Sequence, residues 1–110
     1  MQSVLEYLAE NEARFVDELC TYLQFPSVSA QSDHRPDMRA CADWLVAHCR
    51  EMGLKARRQA TSGHPLVTAS TPRRKGRPHF LVYGHYDVQP PDPLDQWHSP
   101  PFVPSIRNGA

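Results

Sequence analysis

Apolar residues recur at helical spacing through the first part of the chain. Leu5, Leu8, Phe15, Leu19 and Leu23 share one face, while Glu10, Arg14, Asp17 and Glu18 fall mostly elsewhere, the pattern of a helix with one stripe turned toward a core. This predicts a first helix over Ser3–Gln24. Ser3 followed by Glu6 forms a capping box at its start, each side chain satisfying the other's free backbone N–H. Pro26 closes it, because the residue before a proline is pushed out of helical geometry. Ser27 to His34 reads as a polar loop. A second helix is predicted from Pro36 to Met52: a proline suits the first turn, where its missing N–H costs nothing. Met38, Cys41, Leu45, Cys49 and Met52 make its stripe, and Gly53-Leu54 reads as a Schellman stop.

Beyond Gly53 the period changes. Leu54–Ala60 is a strand with polar positions, Thr61-Ser62-Gly63 a turn, and Leu66–Thr71 a second strand. Arg73–Pro78 is a basic turn containing Gly76. Phe80-Leu81-Val82-Tyr83 is a continuous apolar run, the signature of a strand buried on both faces. Two helices followed by three strands predict an α/β domain in which the N-terminal helices pack on a mixed sheet. No internal repeat is visible.

Composition narrows the function classes. At 110 residues the chain is one domain in size and able to bury roughly two-thirds of its unfolded surface without disulfides. Lys plus Arg and Asp plus Glu each count 12, so the formal net charge is zero. A protein built to bind nucleic acid carries a basic excess, which argues against that partner. No stretch approaches the ~20 apolar residues of a membrane span, and the early acidic residues Glu6, Glu10 and Glu12 do not fit a secretory signal. Three cysteines, an odd number without CxxC spacing, point to a reducing, cytoplasmic compartment. Six of the 11 prolines lie between Pro90 and Pro104, dividing a regular front part from an extended tail.

The candidate chemistry sits just after the apolar run, at Gly84-His85-Tyr86-Asp87. Ligands collect at the carboxyl ends of strands in open α/β sheets. In an extended chain residues two apart point to the same side, which places His85 beside Asp87. A carboxylate accepting one ring N–H fixes the imidazole tautomer and turns the other nitrogen outward, as in carboxylate–histidine–zinc sites.

The run Phe80-Leu81-Val82-Tyr83-Gly84-His85-Tyr86-Asp87-Val88-Gln89-Pro90 resembles the first signature of the co-catalytic zinc metallopeptidases of peptidase family M-twenty, which includes dipeptidases, aminoacylases and desuccinylases. Its Tyr-Asp-Val-Gln-Pro end is similar to the dipeptidase branch. Trp97, Pro100-Pro101-Phe102 and Arg107-Asn108-Gly109 resemble that branch downstream, and Phe25-Pro26-Ser27-Val28-Ser29 resembles the loop after the family's first helix. The resemblance implies that residues 1–110 are the N-terminal portion of a zinc-exopeptidase-like catalytic domain, truncated, with the rest of that domain and a dimerisation domain outside it. It makes His85 a ligand to one of two zinc ions, with manganese or cobalt as alternative ions, and Asp87 a catalytic carboxylate that holds His85. The implied reaction is hydrolysis of dipeptides or a related small amide by an intact cytoplasmic homodimer; deacylation of N-acyl amino acids is the alternative substrate class. A catalytic zinc takes three protein ligands and an open position. One ligand is in hand, so the 110 residues alone are expected to be inactive.

Other candidates read more plainly. Cys20, Cys41 and Cys49 are expected to act as small buried hydrophobes. His34, His64, His79 and His98 are scattered and read as surface or loop residues, His98 being a candidate for substrate contact. Arg73, Arg74, Lys75 and Arg77 form a solvated turn, and a phosphate-binding patch lacks interleaved aromatics for stacking. A non-catalytic truncated product or binding module is the rival reading of the chain.

Overall fold

The computed structural model describes residues 2–110. The chain forms two compact units: one contains the residues up to Phe25 together with Pro91–Ala110, the other Pro26–Pro90.

In the first unit the expected single helix is two. Helix α1 spans Val4–Glu10 and α2 spans Glu12–Leu23. The capping box is present as predicted, with the Glu6 N–H donating to Ser3 Oγ at 3.1 Å and the Ser3 N–H to Glu6 Oε2 at 2.7 Å. The break falls at Asn11, whose backbone leaves helical geometry at φ −107 and ψ 8. Its side-chain amide and its backbone N–H both donate to the Tyr7 carbonyl, at 2.9 and 3.1 Å, so the side chain shares the last carbonyl of the ladder at the end of α1. The apolar stripe does not form a core here: Leu5, Leu8, Leu19 and Leu23 are all exposed. Beyond Pro91 the unit is irregular, with a single 3-10 turn at Leu94–Gln96 and the Trp97 indole N–H bonded to the Pro91 carbonyl at 2.8 Å.

The second unit holds the core. Helix α3 spans Arg35–Glu51, preceded by a 3-10 turn at Ser32–His34. It ends in the predicted Schellman motif: Gly53, at φ +84, donates to the Arg50 carbonyl at 2.9 Å and Leu54 to the Cys49 carbonyl at 3.0 Å. The chain turns directly into β1 (Lys55–Gln59), which pairs antiparallel with β2 (Leu66–Ser70) in the register Lys55–Ser70 to Gln59–Leu66. Helix α3 packs across both strands. Its buried residues are Met38, Cys41, Ala42 and Val46. That stripe lies beside the predicted one, since Met52 at the helix end is exposed. Ala56 of β1 and Val28 of the preceding loop complete the core. Arg58, two residues beyond Ala56 and so on the same strand face, pairs with Asp43 of α3 at 2.9 Å.

The predicted third strand is absent. Phe80 to Tyr83 are 81–95% exposed and lie in no strand. A strand buried on both faces needs neighbours along its edges and cover above and below, and the described residues offer neither. The sheet is accordingly a two-stranded antiparallel one, and outside it Val28 and Val88 form an isolated parallel bridge.

Candidate functional site

Residues 86–88 are held by the loop that follows α2. Ser27, almost wholly buried, donates its hydroxyl to the Tyr86 carbonyl at 2.7 Å, and its own carbonyl accepts the Val88 N–H at 2.9 Å. Val28 sits between these bonds, fully buried, in its bridge to Val88. On another side the Tyr86 hydroxyl donates to the Pro65 carbonyl at 2.6 Å, at the end of the β1–β2 connection. That connection is also tied to the loop, because His64 Nε2 bonds the Ser29 carbonyl at 2.8 Å. A carbonyl only accepts, so His64 carries its proton on Nε2.

This scaffold brings together the two residues picked out by the sequence. His85 Nδ1 lies 3.1 Å from Asp87 Oδ1 and 3.0 Å from the Asp87 carbonyl oxygen. Both oxygens are acceptors, so Nδ1 carries a proton, and in the neutral ring Nε2 is the nitrogen that offers the lone pair. Nε2 has no hydrogen-bond partner among the described residues, and the side chain is 74% exposed. The other carboxylate oxygen of Asp87, Oδ2, accepts the Ser29 hydroxyl at 2.6 Å. The Ser29 bond is the main reason the Asp87 carboxyl lies below its ordinary range; partial desolvation works against it, and the His85 ring adds to it.

An imidazole with a fixed tautomer and an outward nitrogen, braced by a carboxylate, suits a metal ligand. Among the described residues no three His, Cys, Asp or Glu side chains converge on one point. The donor set therefore fits one ligand of a metal centre and not a complete site.

The remaining candidates fall elsewhere. His98 and Trp97 belong to the first unit and His85 to the second. His34 bonds Asp37 at 2.7 Å at the start of α3. The three cysteines are free: Cys41 is fully buried, as expected, whereas Cys20 and Cys49 are only half-buried. The basic residues Arg73, Arg74, Lys75 and Arg77 are exposed around a turn in which Gly76 takes φ +76 and Arg77 N–H bonds the Arg74 carbonyl at 3.2 Å. Ser27, Ser29, His64 and Tyr86 went unnoticed as site residues. Their partners are up to 59 residues away, and no local pattern marks such pairing.

No family model matches the chain. Among curated proteins it is 38% identical to a succinyl-diaminopimelate desuccinylase of Aromatoleum aromaticum over 73% of its own length and 20% of the relative. Over 98% of its length it is 26% identical to a Cys-Gly metallodipeptidase of Schizosaccharomyces pombe, of which it covers 25%. Among solved structures, an M20 family metallo-carboxypeptidase of Sulfolobus solfataricus shares 33% identity and a TM-score of 0.74 over 84% of this chain and 21% of that one. These matches bear out the resemblance to the M20, or M-twenty, metallopeptidase family. The likeness of fold extends to the di-peptidase Dug1p of Saccharomyces cerevisiae, with a TM-score of 0.77 at 23% identity over 87% of this chain and 22% of that one. The match to a curated dipeptidase over nearly the whole chain accords with the dipeptidase-like Tyr86–Pro90 end of the signature. The chain spans about a fifth to a quarter of the length of these relatives.

Proposed function

We propose that this chain supplies one corner of the metal centre of an M20 dipeptidase. His85 is a zinc ligand through Nε2, and Asp87 is the carboxylate that holds it and assists catalysis. The observation that carries the reading is the pair of oxygens on His85 Nδ1, at 3.0 and 3.1 Å, which leaves Nε2 as the nitrogen open to a metal ion. When bound, zinc lowers the pKa of a coordinated water toward neutrality and polarises the carbonyl to be cleaved. The part played by this chain is to fix the imidazole before metal arrives. Its carboxylate also spreads the positive charge that coordination places on the ring.

The whole protein in this reading is a cytoplasmic homodimer that cleaves dipeptides with two zinc ions, or with manganese or cobalt in their place, and residues 1–110 form the N-terminal portion of its catalytic domain. Neither nucleic acid nor a membrane is a partner. The 110 residues by themselves are inactive, because one imidazole does not hold a catalytic zinc. The desuccinylases among the relatives favour a second substrate class, N-acyl amino acids.

The test is native mass spectrometry of protein from its natural source, under conditions that retain metal, paired with hydrolysis assays on a dipeptide and an N-succinyl amino acid. A species several times heavier than this chain, with two zinc ions per subunit and dipeptide cleavage abolished by His85→Ala, supports the proposal. Cleavage of the succinyl substrate alone moves it to the second class. Metal-free protein, or steady hydrolysis by the 110 residues alone, overturns it.

A further inference from the structure

We propose that Ser29 is a positioning residue for the His85–Asp87 pair, its hydroxyl locking the carboxylate rotation that, together with the Asp87 carbonyl, favours the His85 proton on Nδ1. The proposal rests on the reading of His85 as a metal ligand.

The geometry is a relay. Ser29 Oγ donates to Asp87 Oδ2 at 2.6 Å, and Asp87 Oδ1 accepts from His85 Nδ1 at 3.1 Å. One carboxylate thus has each oxygen assigned to a different donor, so its plane is set at both ends. Without the Ser29 bond Oδ2 has only solvent to satisfy it, and the carboxylate turns about its Cβ–Cγ bond. Nδ1–H then loses one of its two acceptors, keeping only the Asp87 carbonyl at 3.0 Å, so the preference for the Nδ1 proton falls in part. Asp87 is 40% exposed and His85 74% exposed, so close packing does not hold either side chain. Orientation has to come from directed bonds.

Ser29 itself is well placed to act as a fixed point. Its carbonyl receives His64 Nε2–H at 2.8 Å, and the preceding Val28 is fully buried in its bridge to Val88. Because the backbone of residues 27–29 is anchored independently of the Ser29 hydroxyl, removing that oxygen leaves the loop in place. Metal-binding imidazoles are oriented by such outer hydrogen bonds, whose loss lowers metal affinity by roughly 10–100-fold. A serine bonded to the carboxylate moves this logic one shell further out.

The test reads the tautomer directly, without metal. Long-range nitrogen–proton NMR spectra of the 110-residue chain are recorded for wild type, Ser29→Ala and Ser29→Thr, with His64, which is protonated on Nε2, as the internal reference. Wild type is expected to show His85 protonated on Nδ1. Ser29→Ala is expected to convert that signal to a mixture of tautomers, while the Val88 amide stays protected by its bond to the Ser27 carbonyl. Ser29→Thr, which keeps the hydroxyl, is expected to restore the wild-type signal. An Ala variant with an unchanged His85 spectrum overturns the proposal. So does one that loses the Val88 amide protection together with the tautomer, which assigns Ser29 to folding alone. Zn2+ is then added to the wild-type sample. A shift of the His85 Nε2 resonance supports the ligand reading, whereas a Zn2+ response at the other exposed histidines that leaves His85 unmoved removes it and leaves the effect of Ser29 on the tautomer standing.

Discussion

The Ser27 hydroxyl donates to the Tyr86 carbonyl at 2.7 Å, joining residues 59 apart in sequence. Ser27 is only 2% exposed and is the one buried polar residue of the described core. Its bond fixes the residue that lies between His85 and Asp87. Ser27→Ala leaves that carbonyl without its donor in a place water reaches poorly, which costs about 1–3 kcal/mol. In urea the unfolding midpoint should fall with little change in slope, because the surface exposed on unfolding is nearly the same. An unshifted midpoint would mean that water replaces the hydroxyl without loss.

Met38 should be the costliest single residue to truncate. It is 2% exposed and has the largest of the fully buried side chains, on the face of α3 that meets β1 and β2. Met38→Ala should destabilise the chain by about 2–5 kcal/mol, the lost transfer energy plus the cavity left behind. For so small a core this is a large share of the typical stability of about 5–15 kcal/mol. The loss of a cooperative thermal transition, or a fall in its midpoint of many degrees, checks this.

Features set by neighbours along the chain were legible before the fold was known. The Ser3–Glu6 capping box, the Gly53 stop of α3 and the two strands around the Thr61–Gly63 turn all depend on residues within a few positions of each other. So does the His85–Asp87 pair, because residues two apart in extended chain share a side. What was not legible depends on distance or on small local departures. The break at Asn11 is a small departure of one residue's backbone, whose N–H still bonds the Tyr7 carbonyl beside its own side-chain amide. The bonds from Ser27, Ser29 and His64 cross the fold, and a polar loop shows no sign of where its hydroxyls will point. Phe80–Tyr83 fails for a third reason: apolar content shows what a segment needs to bury without showing that anything covers it.

Cys41 should resist alkylation while the chain is folded. It is fully buried on α3, and burial pushes its thiol above the ordinary value of 9.0, with the Ser27 hydroxyl acting weakly in the opposite direction. The thiolate is the nucleophile, so both access and ionisation protect it. Iodoacetamide at pH 8 should label Cys20 and Cys49, which are half-buried, well before Cys41. The linkage has a definite sign. A thiol whose folded pKa is raised contributes stability that is fully present below the unfolded value and is lost as pH rises through the folded one. The chain should therefore lose stability above about pH 9, and Cys41→Ala should flatten that part of the profile. Equal labelling of all three cysteines would contradict the buried placement.

The run Phe80–Tyr83 should drive self-association. Four consecutive large apolar residues, with Leu81 95% exposed, leave backbone N–H and C=O groups available along both edges. Such a segment is a template for pairing with another copy. Replacing Leu81 and Tyr83 by lysine breaks the apolar run and places like charges on any paired copy. Light scattering should then fall at concentrations where the wild-type chain aggregates. Because both side chains are solvated in the single chain, the unfolding free energy should move by no more than about 0.5 kcal/mol. A drop in association without a change in stability assigns the stickiness to this run. Association unaffected by the lysines would move it to the exposed stripe of α1 and α2, where Leu5, Leu8, Leu19 and Leu23 are also open to solvent.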